Sequence, residues 1–262
     1  MDSLQQAAGR LMNRVRVNHV QATERDGAAV FVKRRRAGAL AVIWFANRFM
    51  ALAHNGTSMY LRADEWAAWE VYCAQLLYPE RPGARVESSS AVVLPRVDGI
   101  SVRTMVRRSH PDVRTALVLA ARELRRVHET TCAHYRAGWS HGDLHLDNIL
   151  CDVAEGRATL IDFDIRHAFD VSATLRQCDD VMAVLLEPIG WPDDRWLSLA
   201  TAFVEEYRRP AVLEALGRQL LVPRGVARLL WYVGTNGASM KQIEPRLQKL
   251  QQIVSAVQRG QS

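Results

Sequence analysis

The sequence predicts an α+β protein in two parts, a small strand-rich N-terminal lobe over residues 1–97 and a larger helical C-terminal lobe over residues 98–262. Three observations predict it. Short β-prone runs fill much of the first third, the Asp98-Gly99 break follows the last of them, and apolar positions beyond Ser109 recur at helical spacing. Hydrophobic residues make up 48% of the chain and charged residues 24%, which suits a folded protein with a sizeable core.

The elements follow in order. Within "RVRVNHVQATERDGAAVFVKRRR", Val15 to Gln21 and Ala28 to Lys33 read as strands on either side of the turn-forming Asp26-Gly27. Ala39 to His54 is apolar and reads as a helix. After the break at Asn55-Gly56, "ADEWAAWEVYCAQLL" reads as a second helix with Trp66, Trp69, Cys73 and Leu76 along one face. "PERPGARV" stops it, and Ala91 to Val97 is a strand. Ser109 and Asp112 have the spacing of a capping box, with Pro111 tolerated in the first turn. Leu117, Ala120, Ala121, Leu124, Val127 and His128 then share a helical face, and Gly138 closes that helix. "NILCDV" and "ATLIDFD" flank "AEGR" as a β-hairpin, and beyond Thr174 the chain is mostly helical.

The net charge of +6 suits anionic partners such as nucleotides or an acidic membrane face. No apolar run reaches transmembrane length, and Met1 to Val20 lacks the apolar block of a signal peptide. The scattered cysteines (Cys73, Cys132, Cys151, Cys178) have no paired metal spacing, so reduced thiols in a cytoplasm are expected.

The chemistry concentrates in "SHGDLHLDNILCDVAEGRATLIDFD", Ser140 to Asp164. Asp143 and Asn148 bracket a short loop that leads into a strand, and Asp162 ends the returning strand. A hairpin between them brings Asn148 and Asp162 toward one cation. Phosphoryl transfer needs oxygen ligands that hold Mg²⁺ against nucleotide phosphates, and a carboxylate that receives the proton of the attacking hydroxyl. Asn148 and Asp162 are the candidate metal ligands, and Asp143 is the candidate base.

"HGDLHLDN" followed by "IDFD" resembles the catalytic loop and metal motif of protein-kinase-like folds. The wording "HGDLH" is most similar to aminoglycoside phosphotransferases and to the lipopolysaccharide Kdo/heptose kinases. "LRRVH", Leu124 to His128, resembles the helix that precedes the loop in those families. The resemblance covers roughly Val30 to Asp180. It implies a bilobal protein-kinase-like fold that binds ATP and Mg²⁺. It also implies that Lys33, at the end of "VFVK", holds the α/β-phosphates. "DFD" stands where the families have "DFG", so Asp164 removes the glycine of a mobile metal motif.

A helix glutamate should pair with Lys33. Glu70 is preferred to Glu65, because acids in a first turn often serve only the helix dipole. His145 sits where many kinases place a phosphate-facing lysine, and so it joins Lys33, Glu70, Asn148 and Asp162 as a nucleotide-site candidate. The array His141, Asp143, His145 also admits a zinc reading, which needs further ligands at close geometry. Asp179 and Asp180 begin the next apolar helix. An acid there ties down the catalytic loop in the resembling families. No G-x-G-x-x-G precedes Lys33, so backbone amides near Asp26-Gly27 would have to form the phosphate lid.

Only a short segment separates Asp162 from the next helix, and no A-P-E occurs, which disfavours a peptide acceptor. The expected activity is transfer of the γ-phosphate to a hydroxyl of a lipopolysaccharide-core or related sugar. The alternatives are a minimal protein Ser/Thr kinase and a nucleotide-binding pseudokinase scaffold. The acceptor would be a small molecule or glycolipid, with no nucleic acid. The basic run Lys33 to Arg36, with Trp44, Phe45, Arg48 and Phe49, allows a peripheral contact with the inner face of an anionic membrane. Packing of those aromatics on the small lobe is the favoured alternative.

Overall fold

Arg25 and Ala28 face each other across a two-residue turn in which Asp26 and Gly27 both have positive φ, 53° and 75°. A type I′ hairpin turn demands this, and Asp and Gly tolerate it. The hairpin joins β1 (Asn18–Arg25) to β2 (Ala28–Arg35). In the computed structural model the described residues are 17–53, 56–191, 194–222, 225, 227–235 and 237–260. The expected strand start at Val15, and His54 and Asn55, lie outside them.

The protein is α+β, with a small sheet in its N-terminal region and a helical C-terminal part. Its chain divides into two units, Met1–Val97 with Ile161–Ala168, and Asp98–Leu160 with Phe169–Ser262. In the first unit, β4 (Arg85–Ser88) and β5 (Ala91–Pro95) complete an antiparallel sheet of order β1-β2-β5-β4. Alternation along β2 puts Val30 and Val32 on one face with Val93, and Lys33 on the other beside its cross-strand partner Val92. Against Val92 pack Trp66, Ala67 and Val71 of the helix α2 (Ala63–Leu77). Lys33 therefore lies on the face that α2 covers. Along α2, Trp66, Trp69, Cys73 and Leu77 are buried, whereas Leu76 is only half-buried.

The preceding helix, α1 (Ala39–Leu52), buries Ala39, Ile43 and Met50. At 100° per residue this turns Trp44 and Phe45 outward, and they are 45% and 68% exposed. The expected packing of the aromatics on the lobe does not occur for Trp44 and Phe45, and Phe49 is half-buried. From α1 the chain enters β3 (Thr57–Met59), which pairs with β11 (Ile165–His167). That pairing fastens the segment after "IDFD" to the first unit, although it lies far downstream in sequence.

In the second unit, β6 (Ile100–Ser101), β9 (Ile149–Asp152) and β10 (Arg157–Leu160) form a sheet of order β10-β9-β6. The expected hairpin is present, with Ile149 opposite Leu160, but its second strand stops at Leu160 rather than running through Asp164. The Ser109–Asp112 capping box is not formed. Ser109 has φ 50°, and Asp112 makes no side-chain cap to α4 (Val113–Glu129). Ser101 acts instead, accepting from the Thr104 N–H at the start of α3 (Val102–Arg107). Nor does Gly138 close α4. The helix ends at Glu129, and β7 (Thr131–Cys132) and β8 (Ala137–Gly138) form a small hairpin after it.

The rest is helical, with α5 (Ala173–Ile189), α6 (Arg195–Tyr207), α7 (Pro210–Gln219), α8 (Ala227–Gly234) and α9 (Met240–Arg259). Ser172 caps α5 by accepting from the Leu175 N–H, so Asp179 and Asp180 lie inside that helix rather than at its start. The cysteines are buried and no disulfide links them. Among the described residues no helix is long and apolar enough to cross a membrane.

Gly138 is needed for a close approach. A Cβ there would lie 2.3 Å from the His128 carbonyl oxygen and 2.7 Å from Gln177 Nε2. Gly138→Ala should lower the unfolding free energy by about 1–3 kcal/mol, read from urea denaturation. An unchanged midpoint would contradict the close packing.

Candidate functional site

Lys33 is 5% exposed, and three carboxylates surround its ammonium. Glu70 Oε2 lies 3.1 Å from Nζ, Asp162 Oδ1 2.5 Å and Asp164 Oδ1 2.8 Å. Lys33 is on β2, fully buried Glu70 is on α2, and the two aspartates lie just beyond β10. Glu65 is half-exposed and lies 3.4 Å from Arg62, away from this group.

Asp164 belongs to this group, although the motif by itself did not assign it a role. Its carboxylate accepts from Trp66 Nε1 at 2.5 Å and from Asn18 Nδ2. Arg35 adds a positive charge, its guanidinium stacked 4.6 Å from the Trp66 ring. The signal in the sequence is the acid standing where the family motif has glycine, together with a tryptophan on the facing helix. Asp162 itself has φ 68°, in the left-handed region. Such backbone is uncommon outside glycine, and it clusters at functional sites.

Three carboxylates facing Lys33, with Arg35 nearby, leave the group net negative when all are ionised. Burial pushes the Glu70 carboxyl up to about 8, with Lys33 opposing and Asp164 and Asp162 adding to the rise. Burial likewise raises Asp164. Burial alone would lower Lys33, but Asp162, Asp164 and Glu70 together hold its ammonium well above the ordinary value. Oxygens of Glu70, Asp162 and Asp164 lie within 4.8 Å of one another, a hard-donor set of the kind that suits a divalent cation.

The second unit carries the loop. His141 and Gly142 donate their backbone N–H groups to Asp180 at 2.7 and 2.8 Å. Asp180 also meets His128 Nε2 at 3.0 Å, and His128 Nδ1 lies 2.6 Å from the Tyr207 hydroxyl. Further along, Glu187 accepts from the Leu146 N–H at 3.2 Å and from Arg103 at 2.9 Å. Arg103 also contacts Asp147 at 3.0 Å. The loop is thus braced at both ends by buried acids of one helix, α5.

Between the braces, Asp143 and His145 are both partly exposed, with His145 Nε2 3.8 Å from Asp143 Oδ2. Asn148 is buried in a 3-10 turn, Leu146–Asn148, and donates its Nδ2 to the Asp143 carbonyl at 2.9 Å. That bond commits the amide nitrogen and leaves the amide oxygen to act as a ligand.

Lys33, Glu70 and Asp162 are therefore brought together in the first unit, and Asp143, His145 and Asn148 in the second. His141 Nδ1 accepts from the Asp143 N–H at 3.3 Å and His141 is buried, so it is a loop-holding residue. Among the described residues His141, Asp143 and His145 form no metal-ligand cluster, which leaves the zinc reading without geometry. The Asp26-Gly27 turn is no phosphate lid for Lys33 either. Six residues of extended strand, about 20 Å, separate Gly27 from Lys33.

No family model matches the chain, and no curated protein matches it.

The burial of Glu70 makes stability depend on pH. The folded state keeps a proton on Glu70 that the unfolded chain releases above its ordinary value of 4.5. Stability from this group is full below about pH 4.5 and is lost as the pH rises toward about 8. Glu70→Gln should flatten the decline of urea-unfolding free energy across that window, and equal slopes in both proteins would contradict it. Asp180→Ala, which removes the acceptor of two backbone N–H groups and one partner of His128, should cost about 3–5 kcal/mol in the same assay. A cost under about 1 kcal/mol would show that the loop is held by other contacts.

Proposed function

We propose that the protein has a protein-kinase-like fold and is an ATP- and Mg²⁺-dependent phosphotransferase. Its acceptor in this reading is a hydroxyl of a lipopolysaccharide-core or related sugar. The observation that carries the reading is the buried Lys33 on a sheet strand, paired at 3.1 Å with the helix residue Glu70 and next to Asp162 of "IDFD". A lysine buried with a helix glutamate and a motif aspartate is the arrangement that phosphate positioning requires. It occurs together with a D-x-x-x-x-N loop whose backbone is clamped by Asp180 and Glu187.

In this reading Lys33 holds nucleotide phosphates once its carboxylate partners turn to the metal. Asp162 of the first unit, about two-fifths exposed, and Asn148 of the second, through its amide oxygen, are each candidate oxygen ligands for Mg²⁺. When bound, the metal would neutralise phosphate charge. Asp143 orients the acceptor hydroxyl and receives its proton, and the partly exposed His145 beside it is a second phosphate contact. Both carboxylate and imidazole stay accessible while the backbone beneath them is fixed, which favours positioning over flexibility.

The short connection beyond Asp164 favours a small acceptor. The chain pairs at once with β3, from Ile165 opposite Met59 to His167 opposite Thr57, and α5 starts at Ala173. Little chain is left to present a peptide.

Purified protein incubated with γ-labelled ATP, Mg²⁺ and separate lipid, sugar and protein fractions should label glycolipid or sugar. Label in protein would favour a protein kinase, and nucleotide binding without transfer a scaffold. Asp143→Ala and Asp162→Ala should each lower transfer by about 10³-fold or more while the far-UV circular dichroism stays native. Full activity in either variant would end this mechanism.

A further inference from the structure

The outer face of α1 has no counterpart in the phosphotransfer chemistry. Helical geometry places Leu40, Trp44, Phe45, Arg48 and Leu52 in one arc of about 140°, at 100° per residue. All are exposed, Leu40 at 61%, Phe45 at 68% and Leu52 at 70%. The residues between them on that arc, Ala41 and Ala51, are small, apolar and exposed as well. The opposite side of the helix is anchored. Ile43 and Met50 are buried, and Asn47 exchanges two hydrogen bonds with the Met59 backbone, at 2.9 and 2.8 Å. The apolar stripe is therefore held outward by packing and cannot roll inward.

Its single charged member is an arginine. Arg48 places its guanidinium 5.3 Å from the Trp44 ring, and Trp44 and Phe45 meet edge-on with centroids 4.9 Å apart. The helix carries no Asp or Glu, and exposed Arg36 lies just before its first turn. A contiguous apolar face of this kind marks an interaction site. Its size argues against a second copy of the chain. At these exposures Leu40, Trp44, Phe45 and Leu52 together offer about 500 Å², short of the roughly 800 Å² per partner of a stable protein interface. A bilayer has no such threshold. Trp, Phe and Leu settle at the headgroup–acyl boundary, while arginine stays at the phosphates.

We propose that this face of α1 docks on a lipid bilayer rich in anionic headgroups, with Trp44, Phe45, Leu40 and Leu52 inserted and Arg48 and Arg36 against the phosphates. The overall charge of +6 draws the protein to such a surface. The inference stands apart from the phosphotransfer reading, and binding can be measured without any activity.

The test is flotation of the full chain with vesicles. Vesicles of equal parts phosphatidylglycerol and phosphatidylcholine should carry the protein at least about tenfold better than pure phosphatidylcholine, with the difference shrinking in high salt. The double variant Trp44→Ser, Phe45→Ser should lose about tenfold or more of the binding while its melting temperature is kept, since both side chains are exposed. Arg48→Gln should lose about fivefold, on anionic vesicles only. No flotation, or flotation that the double variant retains, overturns the proposal. So does a concentration-dependent dimer in sedimentation equilibrium that the double variant abolishes, because a second copy would then cover the face.

Discussion

The buried ammonium of Lys33 is the constraint on which the first unit depends. A charge taken out of water costs several kcal/mol even after relaxation, and a protein tolerates it only with close partners of opposite sign. Here two aspartates just beyond β10 lie against it, and a glutamate on the covering helix α2 adds a hydrogen-bond partner at 3.1 Å. Meeting that one electrostatic need fixes the helix against the sheet and draws Ile161–Ala168 into the unit. The β3–β11 pairing and the Trp66–Asp164 bond then hold the segment in place. The arrangement overshoots neutrality. With more carboxylates than cations, the group favours proton uptake, and the raised Glu70 expresses it.

The second unit solves a different problem, that of presenting polar side chains on a loop without leaving its backbone unsatisfied. Asp180 accepts the N–H groups of His141 and Gly142, and Glu187 accepts that of Leu146. Both acids are buried and both belong to α5, so the loop inherits the rigidity of a helix packed in the core. His128 and Tyr207 extend the chain of bonds from Asp180 to α4 and α6. Asp143 and His145 are left partly exposed above a fixed frame, the condition under which a short polar motif can act by orientation.

Particular residues show which signals are local. The Asp26-Gly27 turn and the hairpin around "AEGR" are legible in short contiguous motifs, whereas the pairing of Glu70 with Lys33 was an expectation drawn from the family resemblance. So is an acid beyond Thr174 that ties down the loop. The capping of α3 by Ser101 and of α5 by Ser172 is not, since serine caps compete closely and distant neighbours decide among them. The strand expected to run through Asp164 ends at Leu160 instead. Asp162 needs left-handed backbone to reach Lys33, and a strand cannot supply it.

By itself the sequence determined the α+β class, a small sheet region ahead of a mostly helical C-terminal part, and the chemical inventory of "HGDLHLDN" and "IDFD". Periodicity and motif spacing act over a few residues and survive without knowledge of the fold. Tertiary structure alone decided that Asp164 joins Asp162 and Glu70 around Lys33, that Glu187 braces Leu146, and that Trp44 and Phe45 face outward. Each of those outcomes depends on which distant surfaces bury one another, a balance of desolvation and packing that no window of neighbouring residues contains.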